Sequence, residues 1–388
     1  MKALRNIIDK WKPQFSEGGK LHKLGSTFDA FETFLFVPNK TTFKGSHIRD
    51  AIDLKRTMSV VIIALLPALL FGIWNTGYQH FLSIGVPAGF WQNFGYGLLK
   101  VLPIIIVAYV SGLAVEFAFA QFRGHEVNEG YLVSGMLIPL IMPADIPLWM
   151  VAVASIFAVI IGKEAFGGTG MNVFNPALLA RAFIFFAYPA QITGDKIWTS
   201  GLTKATEVAD GFSGATPLSS AAANLTDKIP SLSDLFFGII PGSIGETSKL
   251  AILIGAAILI ITGIGSWRII VSGVLGGVVM TLIFNAFAVN EYMKIDALTQ
   301  IMMGSFLFGM VFMATDPVTA AQTNRGKWIY GFLAGFFAIM VRVFNPAYPE
   351  GTMLAILLMN TFAPLIDHYV IEANIKKRLK RAKVAVTK

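Results

Sequence analysis

The segment Asp210-Gly211-Phe212-Ser213-Gly214-Ala215-Thr216-Pro217 sets one hydroxyl nucleophile, Thr216, behind two small residues. Gly214 and Ala215 leave the approach to that hydroxyl open, and Pro217 stiffens the turn that follows. Taken alone, a Ser-Gly-Ala-Thr stretch reads as an ordinary Gly/Ser/Thr turn. A second set of chemically capable groups is acidic: Glu116, Glu164, Asp316 and Asp367 fall near the ends of long apolar stretches. A carboxylate near a bilayer centre costs roughly 2.5–3.5 kcal/mol. These four are therefore either interfacial charges or, together, a cation vestibule, since carboxylates and carbonyls suit hard ions. Asn175 and Asn345 could add amide ligands closer to the midplane. With no cysteine, the chain has no disulfide, no thiolate nucleophile and no iron–sulfur or Cys-type zinc site of its own. Five histidines, His22, His47, His80, His125 and His368, form no His-x-x-x-His pair.

The elements that must position these groups are apolar. The chain has 388 residues, 55% hydrophobic and 14% charged, with a mean hydropathy of +0.64. Soluble domains carry about 25% charged residues, so a water-soluble enzyme is excluded and a polytopic membrane protein is expected. A hydrocarbon core about 30 Å thick needs about 20 apolar residues per helix. Ten segments are candidates: Thr57–Ile73, Leu98–Phe122, Tyr131–Pro143, Pro147–Phe166 and Pro176–Ala190, then Leu250–Ile264, Arg268–Ala288, Leu298–Ala314, Trp328–Phe344 and Thr352–Val370. Tyr131–Pro143 is too short to cross as a regular helix and contains Pro139 and Pro143. Lipid cannot satisfy the backbone groups that a break frees, so such a segment should line a protein-enclosed cavity.

The net charge of +8 is concentrated at the ends: residues 1–57 hold 11 of the 31 Lys and Arg, and the tail from Ile371 holds seven. Basic residues accumulate in cytoplasmic segments, and no nucleic-acid fold signature accompanies the charge. Both termini are expected inside, with no signal peptide, which agrees with an even number of spans. Arg123, Lys163, Arg268, Arg325 and Lys327 then fall in inner connections. The expected organisation is an N-terminal extension (1–56), a first five-span set (57–190), an outer loop carrying Thr216 (191–249), a second five-span set (250–371) and a basic tail (372–388).

Val-Phe-Asn-Pro-Ala occurs at 173–177 and again at 343–347, each copy preceded by a Gly-Met pair, Gly135-Met136 and Gly309-Met310. Duplication explains the shared order. An odd number of spans per copy forces the two into opposite orientations, the inverted-repeat plan that builds transport pathways beside broken helices.

Asp-x-x-Ser-Gly-Ala-Thr resembles the covalent flavinylation motif, in which a dedicated transferase joins FMN to the threonine through a phosphoester. His125-Glu126-Val127-Asn128-Glu129-Gly130, Gly162 to Gly170, Asn175-Pro176-Ala177, and Arg181-Ala182-Phe183 through Pro189-Ala190-Gln191 stand in the order expected of one family. Over essentially its whole length the chain resembles the B subunits of the sodium-translocating NADH:quinone reductases, homologous to the D subunits of Rnf-type complexes. The N-terminal extension and the His125–Gly130 loop favour the former.

The resemblance implies an all-α membrane protein with a urea-channel-like fold in a bacterial inner membrane. It implies FMN on Thr216 with Asp210, Ser213, Gly214 and Ala215 around it, and a non-covalent riboflavin. Electrons would pass to ubiquinone or menaquinone while Na+ is exported. Candidate flavin contacts are Thr169, Asn172 and Arg181, the last equally suited to pairing with an acid. Candidate quinone residues are His125, Glu126, Glu129 and Gly130, with His125 or Glu126 as candidate proton donors. The sodium path would draw on Glu116, Glu164, Asn175, Asp316, Asn345 and Asp367. Gly162–Gly170 lacks phosphate-loop spacing, so NADH oxidation falls to partner subunits, which would carry FAD, iron–sulfur centres and a second covalent FMN. Two other readings share the membrane plan. One is the D subunit of an Rnf-type complex; the other is a small-solute channel, which would have no use for a flavin attachment motif.

Overall fold

The computed structural model describes residues 2–16, 18–21, 25–36, 42, 44–48, 50, 53–124, 130–202, 212–345, 348 and 350–386. Among these the secondary structure is helical, without strands. Two short helices, α1 (Lys2–Phe15) and α2 (Gly25–Leu35), precede α3 (Leu54–Ser83) and α4 (Phe90–Arg123). The first half continues with α5 (Tyr131–Leu140), α6 (Leu148–Gly162) and α7 (Pro176–Ala187). The long connection holds α8 (Pro217–Ala222) and α9 (Leu232–Phe237). The second half contains α10 (Lys249–Ile261), α11 (Trp267–Ala286), α12 (Ala297–Met302), α13 (Phe306–Phe308, running into a π-helical turn at Gly309–Met313), α14 (Asn324–Phe344) and α15 (Thr352–Val386).

Six helices are long and apolar enough to cross a membrane: α3, α4, α6, α11, α14 and α15. Their pattern differs from that of soluble helices. On α3 one stripe (Ala64, Leu65, Ala68, Leu69) is buried, while Ile63 and Leu70 on the other face are 52% and 51% exposed. A helix that is apolar all round needs an apolar solvent outside as well as a core inside. Small residues bring α11 and α14 together. A Cβ on Gly335 would sit 1.8 Å from the Gly273 carbonyl oxygen, so any larger side chain would push the helices apart.

The remaining apolar segments are short. α5 contains Pro139 and ends at Leu140, ahead of Pro143, and α7 and α10 have 12 and 13 residues. The segment expected as one span over Leu298–Ala314 is instead broken between Met302 and Phe306. Gly304 takes a left-handed backbone there (φ +59°) and ends the regular hydrogen bonding. The two Val-Phe-Asn-Pro-Ala copies also do different work. Asn175 begins a helix: its side chain accepts from the Ala177 and Leu178 N–H groups and Pro176 takes the first turn, where no N–H is missed. Asn345 instead follows the last turn of α14, its N–H bonded to the Val341 carbonyl. The basic run Lys376–Arg381 continues α15.

Most of the apolar core is one continuous cluster through both halves; a second forms where α8 and α9 pack beside Tyr292, Ile295 and Met303. At 30 residues, α3 spans about 45 Å. Thr57 near its start and His80 near its end mark opposite ends of the bundle, and each end holds a cavity of mixed polar and apolar lining.

Candidate functional site

At the His80 end, Thr216 caps α8, its hydroxyl oxygen accepting from the Ser219 N–H at 3.2 Å. Thr216 is half-buried and lines a cavity of ≈ 330 Å³ with Asp195, Trp198, Glu246, Thr247, Lys249, Tyr348 and Glu350. Gly214 has a stricter role than leaving space: a Cβ there would lie 2.6 Å from the Asp195 carbonyl oxygen and from Leu202. Ser213 is exposed, its hydroxyl accepting from the Ala215 N–H. Asp210 lies outside the described residues.

The Thr216 turn is fastened to the first half through residues 195–202. Ser219 donates to Asp195. Asp145, between α5 and α6, accepts from Lys100 (2.8 Å), the Ser200 hydroxyl (2.9 Å) and the Gly201 N–H. His80 stacks on Tyr96 with ring centroids 3.9 Å apart, its Nδ1 2.8 Å from the Ser200 carbonyl oxygen. Burial works to raise the Asp145 pKa, but the bonds from Lys100, Gly201 and Ser200 outweigh it and hold the carboxyl below the ordinary range. Such a group stabilises the fold fully above its unfolded pKa of about 3.9 and loses that contribution only as pH falls through the lower folded value. The clasp should therefore be independent of pH from about 5 to 9. Asp145→Asn should cost about 1 kcal/mol, discounted because Lys100 is partly solvated. Amide exchange over 195–202 should then be about fivefold faster; unchanged exchange would dismiss the clasp.

In and behind the cavity wall lies a set of buried charges, of which the hydropathy pattern singles out Arg181 alone. Arg181 is 2% exposed and donates to both Glu350 carboxylate oxygens and to the Ile141 carbonyl at the α5 break. It does not line the cavity itself; Glu350 and Trp198 stand between. Arg342, fully buried, donates to the Gln300 and Met303 carbonyls. Lys249, also fully buried, donates to the Glu246, Thr247 and Gly304 carbonyls at 2.7, 3.2 and 3.0 Å. The signal that could have found them is charge inside or beside an apolar span, which is functional by default.

The second cavity, at the Thr57 end, is lined by Gly130, Lys163, Thr169, Asn172, Asn175 and Asp316, with Phe312 and Leu137 among its apolar walls. Thr169 and Asn172 thus stand apart from Arg181, at the other end of the bundle. The Asp316 carboxylate accepts from the Val318 N–H (3.1 Å), the Thr319 hydroxyl (3.1 Å) and the Asn175 amide (3.3 Å). Of the four acids read as a vestibule, Asp316 alone lines this cavity. Glu116 is buried against Lys163, and Glu164 pairs with Arg123 at 2.9 Å. Asp367 accepts from the Gln322 and Thr323 N–H groups and the Thr323 hydroxyl, and so holds the start of α14. Asn345 lines neither cavity. His125, Glu126 and Glu129 lie outside the described residues.

Long helices apolar on every face, with a broken segment among them and a cavity at each end of the bundle, mark an integral membrane protein. The chain belongs to the NQR2, RnfD, RnfE family, whose sequence profile matches residues 41–376. It is 46% identical to the B subunit of the Na(+)-translocating NADH-quinone reductase of Chromohalobacter salexigens, over 98% of this chain and 97% of that one. It is also 46% identical to the B subunits of the same reductase from Ectopseudomonas mendocina and Stutzerimonas stutzeri, over 98% of this chain and 99% of theirs. Those relatives are named as subunits of an enzyme complex.

Proposed function

We propose that this chain is the membrane-embedded B subunit of a redox-driven sodium pump that passes electrons to quinone. It would act with partner subunits that oxidise NADH, in a bacterial inner membrane, with both termini and the Lys163 end cytoplasmic. The observation that carries this reading is the Thr216 hydroxyl, set within Ser213-Gly214-Ala215-Thr216 and opening on a cavity in the size range of small-molecule sites. FMN held there by a phosphoester supplies an electron carrier that the protein's own side chains cannot. The residues fit such a group. Thr216 has its oxygen oriented by Ser219, and the cavity has buried polar atoms without partners, Glu246 Oε2 and Thr247 Oγ1. On attachment the Thr216 hydroxyl would give up its proton to solvent, and its oxygen would replace the leaving group on the phosphorus of a flavin nucleotide donor, whose P–O bond to that group would break. The test is a denaturing gel of the chain made in cells that contain a flavin transferase: a fluorescent band carried on the Thr216 peptide is expected, and a dark band overturns the reading.

Support for ten membrane segments in two inverted sets comes from the three short apolar helices and the broken α12–α13 segment, which bring six long helices to ten. Both Gly-Met landmarks fall in the interrupted elements, α5 and the π turn. A non-covalent riboflavin, with Thr169 and Asn172 as its candidate contacts, completes the proposed cofactor set.

Sodium is the proposed cargo, and Asp316 with Asn175 is its proposed stop at the inner cavity. An Asp-to-Asn change keeps the shape and removes the charge. Asp316→Asn should raise the sodium concentration for half-maximal quinone reduction about tenfold, equivalent to ~1.4 kcal/mol of ion attraction. Unchanged sodium dependence would remove Asp316 from the path.

A further inference from the structure

The walls of the Thr216 cavity carry a charge arrangement that attachment alone does not require. Arg181 and Glu350 neutralise each other. Of the cavity's other ionic groups, Lys249 stands out. Its ammonium is fully buried, its three protons are taken up by three carbonyl oxygens, and it has no ion-pair partner among the described residues. Hydrogen bonds to neutral carbonyls fix the position of a cation without cancelling its charge. Beside it are two polar side chains, each more than nine-tenths buried, that keep an atom without a partner: Glu246 Oε2 and Thr247 Oγ1. Leaving a buried acceptor unsatisfied costs about 1–3 kcal/mol. Both residues line the cavity, so a ligand there can supply the missing donor.

We propose that Lys249 and Glu246 form the electrostatic seat of the flavin ring attached at Thr216: Lys249 stabilises the negative charge the ring gains on reduction, and Glu246 Oε2 accepts the ring's imide N–H. The inference rests on the Thr216 reading. Glu246 would contact the ring directly, and Lys249 would act on it through its charge. One electron enters the ring from the reductant, and no bond to Lys249 forms or breaks. A unit charge within about 8 Å, at an effective dielectric of about 20, is sufficient for at least a tenfold effect on the equilibrium.

The experiment is a redox titration of the full chain with dithionite, following the flavin signal that Thr216→Ala lacks. Lys249→Met should make one-electron reduction about tenfold less favourable, a fall of about 59 mV. Glu246→Gln, which removes a negative charge, should shift the potential upward. Opposite shifts support the seat, because general damage to the cavity has no reason to move the two variants in opposite directions. Absent shifts, or shifts of one sign, in variants that still carry covalent flavin overturn it. If Lys249→Met does not accumulate, Lys249→Gln takes its place in the same comparison, with the same opposite shifts supporting the seat and any other result overturning it. A wild-type chain without covalent flavin fails at the gel, before any titration, and overturns the Thr216 reading and this inference with it.

Discussion

Replacing Thr216 with Ala should abolish the covalently held flavin and reduce sodium-dependent quinone reduction to the level of cells lacking the complex. The chain itself should survive. Thr216 caps only the six-residue α8, and loss of a cap costs about 1 kcal/mol. Packing of Leu218 and Ala221 into the second apolar cluster still holds that helix in place. Thr216→Ser keeps both a hydroxyl and a cap, so it should retain a fluorescent band. In-gel fluorescence, read beside the yield of assembled complex, separates the two effects. A Thr216→Ala chain that still carries covalent flavin would disprove attachment at this residue. A channel without redox function would show no band in any variant.

The second large effect is expected from the Arg181–Glu350 pair, which joins α7 to the start of α15 across 169 residues of sequence. Both side chains are nearly excluded from solvent, at 3% and 12% exposure. Removing one partner strands the other charge in a low-dielectric interior, at a cost of about 3–5 kcal/mol. Arg181→Met should be the worse change, because it also leaves the Ile141 carbonyl without its donor where α5 ends. Glu350→Gln should cost somewhat less, since the amide can still accept from the guanidinium. The double variant should lose less than the sum of the singles, because it leaves no stranded charge. Unfolding free energies from titration with sodium dodecyl sulfate in mixed micelles measure this cycle. Strictly additive losses would show that the two groups act independently.

Six of the apolar segments read from hydropathy contain long helices and three contain shorter ones, while Leu298–Ala314 is interrupted; a backbone leaving water must bond to itself wherever the side chains are apolar. Pro139 and Pro143 rightly cut α5 short. The break near Gly304 is not legible, since a single glycine between apolar residues does not disturb hydropathy. Val-Phe-Asn-Pro-Ala is legible as a repeat. That one asparagine starts a helix and the other follows the end of one is not, because the same five residues allow both and their surroundings decide. Among the acids, distance from a span end cannot separate Asp316 from Glu116, Glu164 and Asp367. The cations or N–H groups that engage those three lie 41 to 47 residues away in sequence.

The amino-acid sequence by itself determined that the chain is a membrane protein, where its apolar helices run, and that one hydroxyl follows Ser-Gly-Ala in the long connection. Each depends on local chemistry: transfer of apolar residues out of water, and the fixed φ of proline. Only the tertiary structure decided that Thr216 opens on a cavity with Lys249 and Glu246, that Arg181 meets Glu350, and that Asp316 faces the opposite cavity. Burying a charge is tolerable only when a partner or a carbonyl cluster arrives from elsewhere in the chain. Which one arrives is set by how the helices pack.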